Sequence, residues 1–170
     1  TGLILPIGRW VLGEACATVQ KWSAASGKPV LLGVNIGPRQ LNSPGLFEDI
    51  QEALRTSKLP AAQLRLEIAE NAAMSHPELV LGVLKKVRQL GVAIQLDDFG
   101  SGRSSLAHLA RFPVQSLMLD RGLVTGVNRD EGTEMVIRAV VGLARELGLS
   151  VGAKGIEESE FERAARDIGA

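Results

Sequence analysis

An α/β fold built on parallel strands is what this sequence predicts, and three observations predict it. Short apolar runs alternate with longer helical patterns along all 170 residues, which implies parallel strands joined by helical crossovers. Aliphatic residues dominate, since 45% of the chain is hydrophobic and only 4% aromatic, and that composition suits helices layered on strands. Polar residues end the apolar runs, which is where α/β folds bind their ligands. The length suits a single domain over residues 1–170. Two architectures fit: an open doubly wound sheet, or part of a (β/α)8 barrel. A full barrel takes about 250 residues, so this chain would be a barrel with staves missing.

The elements follow in order. Pro6 suits a first helical turn. Trp10, Val11, Ala15, Thr18, Val19 and Trp22 recur at three- and four-residue spacing, which predicts a helix over 6–26, ended by Gly27. A short apolar strand covers 30–35, and a loop with one helical turn covers 38–43. Leu46, Ile50 and Leu54 share one face of a helix over 45–57, followed by a strand over 64–68. Leu79, Val80, Val83, Leu84, Val87 and Leu90 face inward from a helix over 77–90, closed by Gly91. A strand over 92–96, a short helix over 104–111 and a strand over 116–119 come next. Val136, Ile137, Val140, Val141, Ala144 and Leu147 mark a helix over 132–147, before a strand over 150–153 and a final helix over 157–168.

Charge and cysteine content narrow the function classes. Lys plus Arg and Asp plus Glu are 19 each, so no basic footprint for a nucleic-acid polymer exists. Cys16 is the one cysteine. It has no intrachain disulfide partner and reads as a buried thiol. No apolar run reaches the roughly 18 residues of a membrane span. The apolar stretch 3–7 is too short for a secretion signal and lacks a basic lead. A cytoplasmic domain is expected.

The chemistry concentrates in 94–105, written IQLDDFGSGRSS. Ile94 and Leu96 supply the apolar face of a strand, Asp97 and Asp98 stand where it ends, and Gly100 and Gly102 allow a sharp turn. Ser104 can cap a following helix. Adjacent carboxylates at a strand end need a metal, a lysine or an arginine nearby. Asn35, Glu67, Asp120 and Lys154 with Glu157 end the other strands. An amide and carboxylates converging there suit Mg²⁺, Mn²⁺ or Ca²⁺, and without a His/Cys cluster zinc does not fit. Glu67 alternates with Leu66 and Ile68, so it points to the opposite face. Asp120 alone also reads as a helix cap. His76, before a proline, and His108, on a short helix, read as surface or packing residues. The Gly100-Ser101-Gly102 run lacks the spacing of a phosphate loop or dinucleotide turn.

Taken in order, these blocks resemble the EAL domain family, bacterial phosphodiesterases of cyclic-di-GMP. The blocks are Thr1 to Leu12, Val34-Asn35-Ile36-Gly37, Leu66-Glu67-Ile68-Ala69-Glu70, Asp97 to Leu106, Leu117-Met118-Leu119-Asp120-Arg121 and Ala153-Lys154-Gly155-Ile156-Glu157. The resemblance implies a modified TIM (β/α)8 barrel, incomplete here because its first and last strands lie outside this chain. It also implies hydrolysis of cyclic-di-GMP to linear pGpG with Mg²⁺ or Mn²⁺, where metal lowers the pKa of bound water and clamps phosphate oxygens. By resemblance, Asn35, Glu67, Asp97 and Asp98 fall on metal positions. Glu70, Gly100, Ser101, Gly102 and Ser104 fall on the loop that holds the aspartates. Pro113, Asp120 and Arg121 are candidate nucleotide contacts. Implied partners are cyclic-di-GMP and other domains of a larger signalling protein.

The departures from the family pattern decide the functional expectation. The Glu-Ala-Leu motif and the final glutamine motif are absent. Arg103 stands for a tyrosine, Gly37 for a serine and Ala69 for a threonine. Met118 replaces a lysine that contacts the attacking water, and Lys154 replaces a metal-supporting or basic glutamate. A positive charge is lost at 118 and gained at 154, at the mouth of one barrel. An ammonium some 4 Å from a carboxylate gains about 4 kcal/mol at an effective dielectric near 20. Lys154 is therefore expected to face Glu67, Asp97 and Asp98 in place of a metal. The result would be a catalytically silent receptor or interaction module. The alternatives are an active phosphodiesterase whose remaining motifs lie outside this chain, and a remnant that binds no nucleotide. An open barrel also leaves strand edges at 30–35 or 150–153, which invite pairing, so either the rest of a larger protein supplies the missing strands or the chain pairs with a second copy as a homo-dimer.

Overall fold

The computed structural model describes residues 2–101, 106–126 and 131–155. The helix expected over 157–168, and Gly102, Arg103, Ser104 and Glu157, lie outside the described residues.

A 23-residue helix, α1 (Ile4–Ser26), opens the fold and ends at Gly27, whose φ of 65° is a left-handed cap. Leu12, Cys16 and Val19 turn inward. Trp10 and Trp22 are 67% and 59% exposed, so the expected aromatic stripe is not the core face. Helix α1 is apolar on more than one side, and periodicity alone could not choose between them. Strand β1 (Leu32–Asn35) leads through α2 (Pro38–Leu41) to α3 (Leu46–Ser57). A 3₁₀ turn (Ala61–Gln63) feeds β2 (Leu64–Ala69), followed by α4 (Glu70–Ser75) and α5 (Pro77–Gln89). Next come β3 (Ala93–Phe99), α6 (Leu106–Leu109), β4 (Ser116–Leu119), α7 (Arg121–Gly126), α8 (Glu131–Glu146) and β5 (Ser150–Ala153). Within α5 and α8, Val80, Leu84, Val87, Ile137, Val141 and Ala144 are buried as expected, while Leu79 and Val136 are half exposed.

Sheet order settles the choice of architecture. The five strands are all parallel and lie side by side in chain order, β1-β2-β3-β4-β5. Each crossover steps the same way, whereas a doubly wound sheet reverses at a switch point. The wall is therefore that of a barrel, open at β1 and β5 among the described residues.

The registers divide the wall into two faces. Val34, Leu64, Leu66, Ile68, Ile94, Leu96, Leu117 and Leu119 form the buried core under the helices. The alternate residues carry the polar groups, including Arg65, Glu67, Gln95, Asp97 and Ser116. Near the amino ends of the strands, Gln95 Oε1 accepts bonds from Arg65 Nη1 at 3.2 Å and Ser116 Oγ at 3.3 Å. This satisfies a side chain that is almost fully buried.

Candidate functional site: an amine between two aspartates

The aspartates do not follow the strand; they are part of it. Strand β3 runs on to Phe99, and its register against β4 slips between Leu96 and Phe99. Leu96 faces Leu117 and Phe99 faces Leu119, so Asp97 and Asp98 together oppose the single residue Met118. This is a β-bulge. Neighbouring residues of a regular strand point to opposite faces. The bulge removes that alternation, and Asp98 takes φ +52°, a left-handed conformation that aspartate tolerates better than most residues. Asp98 N–H donates to Asp97 Oδ1 at 3.0 Å, which fixes the pair.

Lys154 closes the site from β5. Its backbone N–H donates to Leu119 O at 3.2 Å, extending the β4–β5 ladder by one residue. Its ammonium donates to Asp97 Oδ2 at 2.5 Å and to Asp98 Oδ1 at 3.1 Å. Asp97 is 7% exposed, Asp98 45% and Lys154 42%. The bond to Asp97, aided by Asp98, raises the lysine pKa above its usual value against the opposing effect of partial burial.

A second layer holds the bulge. Glu70, the first residue of α4, is buried, and its Oε2 accepts the Gly100 N–H at 2.9 Å. Gly100 sits at φ +91°, and a Cβ there would run into Leu123 Cδ1, so both conformation and space require glycine. Ser101 N–H and Oγ bond Asp98 O at 3.2 and 2.8 Å.

The remaining candidates spread around the mouth. Glu67 pairs in register with Asn35, and its carboxylate lies across Gly33, where a Cβ would collide with Oε1. Glu67 has no bond to Lys154 in this arrangement, whose ammonium is held by the two aspartates. Asp120 caps α7, with Oδ1 accepting the Gly122 N–H at 2.8 Å. Arg121 lays its stem along Gly155. Pro113 sits before β4, at the opposite end of that strand from Asp120, and its carbonyl accepts Gln115 Nε2 at 2.7 Å. His108 packs against Phe112. Among the described residues, no group of three or more His, Cys, Asp and Glu is arranged to hold a metal. The donor chemistry agrees: both aspartates give an oxygen to an ammonium, so in this arrangement they do not fit a divalent ion.

The profile of the family described as EAL domain matches residues 1–170. The chain belongs to the EAL domain family. PdeR of Escherichia coli, a cyclic di-GMP phosphodiesterase, is 35% identical over 160 residues, covering 94% of this chain and 24% of that protein. MucR of Pseudomonas aeruginosa, a bifunctional diguanylate cyclase and cyclic di-GMP phosphodiesterase, is 36% identical over 157 residues, 92% of this chain and 23% of its own. The solved MucR phosphodiesterase in complex with c-di-GMP superposes with a TM-score of 0.93 at 34% identity, over 100% of this chain and 69% of that one. This EAL chain thus spans about a quarter of the length of these curated relatives.

Sequence reasoning missed three features of the site. The bulge leaves no residue signature beyond the paired aspartates themselves. Helix α4 was absent from the expectation because six residues show no clear period, although Glu70 directly after a strand is a first-turn acid. Gly152, facing Met118 across β4 and β5, could have been found by pairing the two strands in register.

Proposed function

We propose that this chain is a degenerate EAL domain that does not turn over cyclic-di-GMP, and that it acts in signalling as a nucleotide receptor or a protein-interaction module. One observation carries the reading: the Lys154 ammonium lies between Asp97 and Asp98. An ammonium there supplies the positive charge the carboxylates need and repels a divalent cation. The attraction is reduced by the exposure of Lys154 and Asp98, yet two acceptors on one donor group keep it directional. Met118 adds to the argument, because a thioether can neither hold nor polarise an attacking water. With lysine at 154, no general base stands at that position.

The alternative is an active phosphodiesterase whose other catalytic groups lie beyond this chain. The bulged aspartates and the Glu70–Gly100 bond favour it, since this frame could still present carboxylates to a metal. Relatives named as phosphodiesterases favour it too. Lys154 weighs against it, since a cation would first have to displace the ammonium.

Hydrolysis of cyclic-di-GMP with Mn²⁺ decides between these readings. The proposal expects no pGpG above the uncatalysed background, and turnover would favour the alternative. Equilibrium dialysis with the same nucleotide then divides what is left: retention supports a receptor, and its absence leaves an interaction module or a remnant that binds no nucleotide.

A further inference from the structure

Lys154 directly follows β5, and the aspartates it reaches stand on β3, so its side chain must cross the whole of β4. Strands lie about 4.8 Å apart, and the span therefore needs an extended lysyl stem and a clear path. The residue of β4 that lies opposite the aspartates is Met118. In the next pairing Met118 faces Gly152. The methionine leans toward β5: a Cβ at 152 would stand 3.0 Å from its Cε and 3.1 Å from its Sδ. The two long side chains therefore run in opposite directions. Met118 reaches from β4 over Gly152, and Lys154, two residues further along the chain, reaches back over β4.

We infer that Met118 and Gly152 are positioning residues for Lys154: the methionine, seated in the space the glycine leaves, is the apolar floor over which the amine reaches Asp97 and Asp98. The inference rests on the reading of Lys154 given above and deepens it. It gives the loss of lysine at 118 a physical reason. A second ammonium at that position would meet the first with like charge and compete for the same carboxylates. An uncharged, flexible thioether lines the lysyl methylenes instead. It also explains glycine in a strand interior, where that residue otherwise weakens pairing. A branched side chain at 152 would push the methionine into the path of the lysine. A single methyl would need only a few tenths of an ångström of give from a flexible neighbour.

The test follows the lysine directly. In the ¹⁵N-labelled chain, an ammonium held by two carboxylates exchanges its protons slowly and gives its own resonance, assigned by its loss in K154Q. Wild type is expected to show this signal, G152A to keep it, and G152V to lose it while the strand amides of β3 and β4 remain. The double variant G152V/M118A, in which valine fills the space the methionine occupied and itself supplies the apolar floor, is expected to recover it. M118L is expected to keep the signal, because an uncharged floor remains. Persistence of the signal in folded G152V would overturn the inference and leave the Lys154 reading intact. Absence of the signal in wild type would instead remove that reading. Should G152V fail to fold, M118K makes the same test: loss of the Lys154 signal supports the inference, and its retention overturns it.

Discussion

Asp98 is the residue on which the site geometry turns. Its φ of +52° brings two consecutive carboxylates to one side, and that conformation costs most side chains about 1–3 kcal/mol. Replacing Asp98 by glycine or by valine removes the same carboxylate, so the difference between them isolates the backbone. D98G should be more stable than D98V by about 1–2 kcal/mol in urea unfolding. Equal midpoints would show that the bulge is not strained. Gly100 is under a stricter demand, from φ +91° and from the Leu123 side chain that occupies the Cβ position. G100A should cost about 2 kcal/mol or more by the same measurement. Cys16 offers a pH test. Burial pushes its thiol from 9.0 to about 11, so the unfolded thiol ionises first. Its stabilising contribution is complete below pH 9 and declines as the pH climbs toward 11. Unfolding free energies measured at pH 8 and pH 10.5 should therefore converge less in wild type than in C16A. An identical pH dependence would contradict a buried, neutral thiol.

Among the elements, those with strong periods were legible from sequence and those fixed by tertiary contacts were not. Helices α3, α5 and α8 fell within a residue or so of expectation, because apolar positions recur along their full length. Strand β4 and strand β5 matched their expected bounds. Strand β3 ran three residues past the expected end. Aspartates are poor strand formers, and here their place in the strand is stabilised by the bulge, Lys154 and the Glu70–Gly100 bond. Helices α4 and α7 escaped notice because a six-residue helix has too few turns to show a period. Helix α4 nevertheless matters to the site through its first residue. E70A should leave the Gly100 N–H without its buried acceptor, at about 1–3 kcal/mol, read as a lower urea midpoint. No change on substitution would mean that the turn is held without Glu70.

At the scale of the whole molecule, the α/β class and the strand-end residues are legible in the alternation of apolar runs, but only strand order separates barrel from open sheet. The expected open edges are where the fold has them, at β1 and β5 among the described residues. Beside β1, helix α1 exposes Trp10, Val11 and Trp22. An edge strand next to an apolar helix face invites pairing. We predict that the isolated chain self-associates, which light scattering over a dilution series will show. A folded monomer at all concentrations would contradict this. No helix among the described residues is long and apolar enough to cross a membrane.

The account as a whole depends on an ammonium occupying a place where a metal would otherwise be held. Calorimetric titration of the wild-type chain and of K154A with Mn²⁺ tests this most directly. The account predicts no binding by wild type at micromolar Mn²⁺, and a measurable gain once the amine is removed. Micromolar binding by wild type would overturn the reading, whatever K154A does.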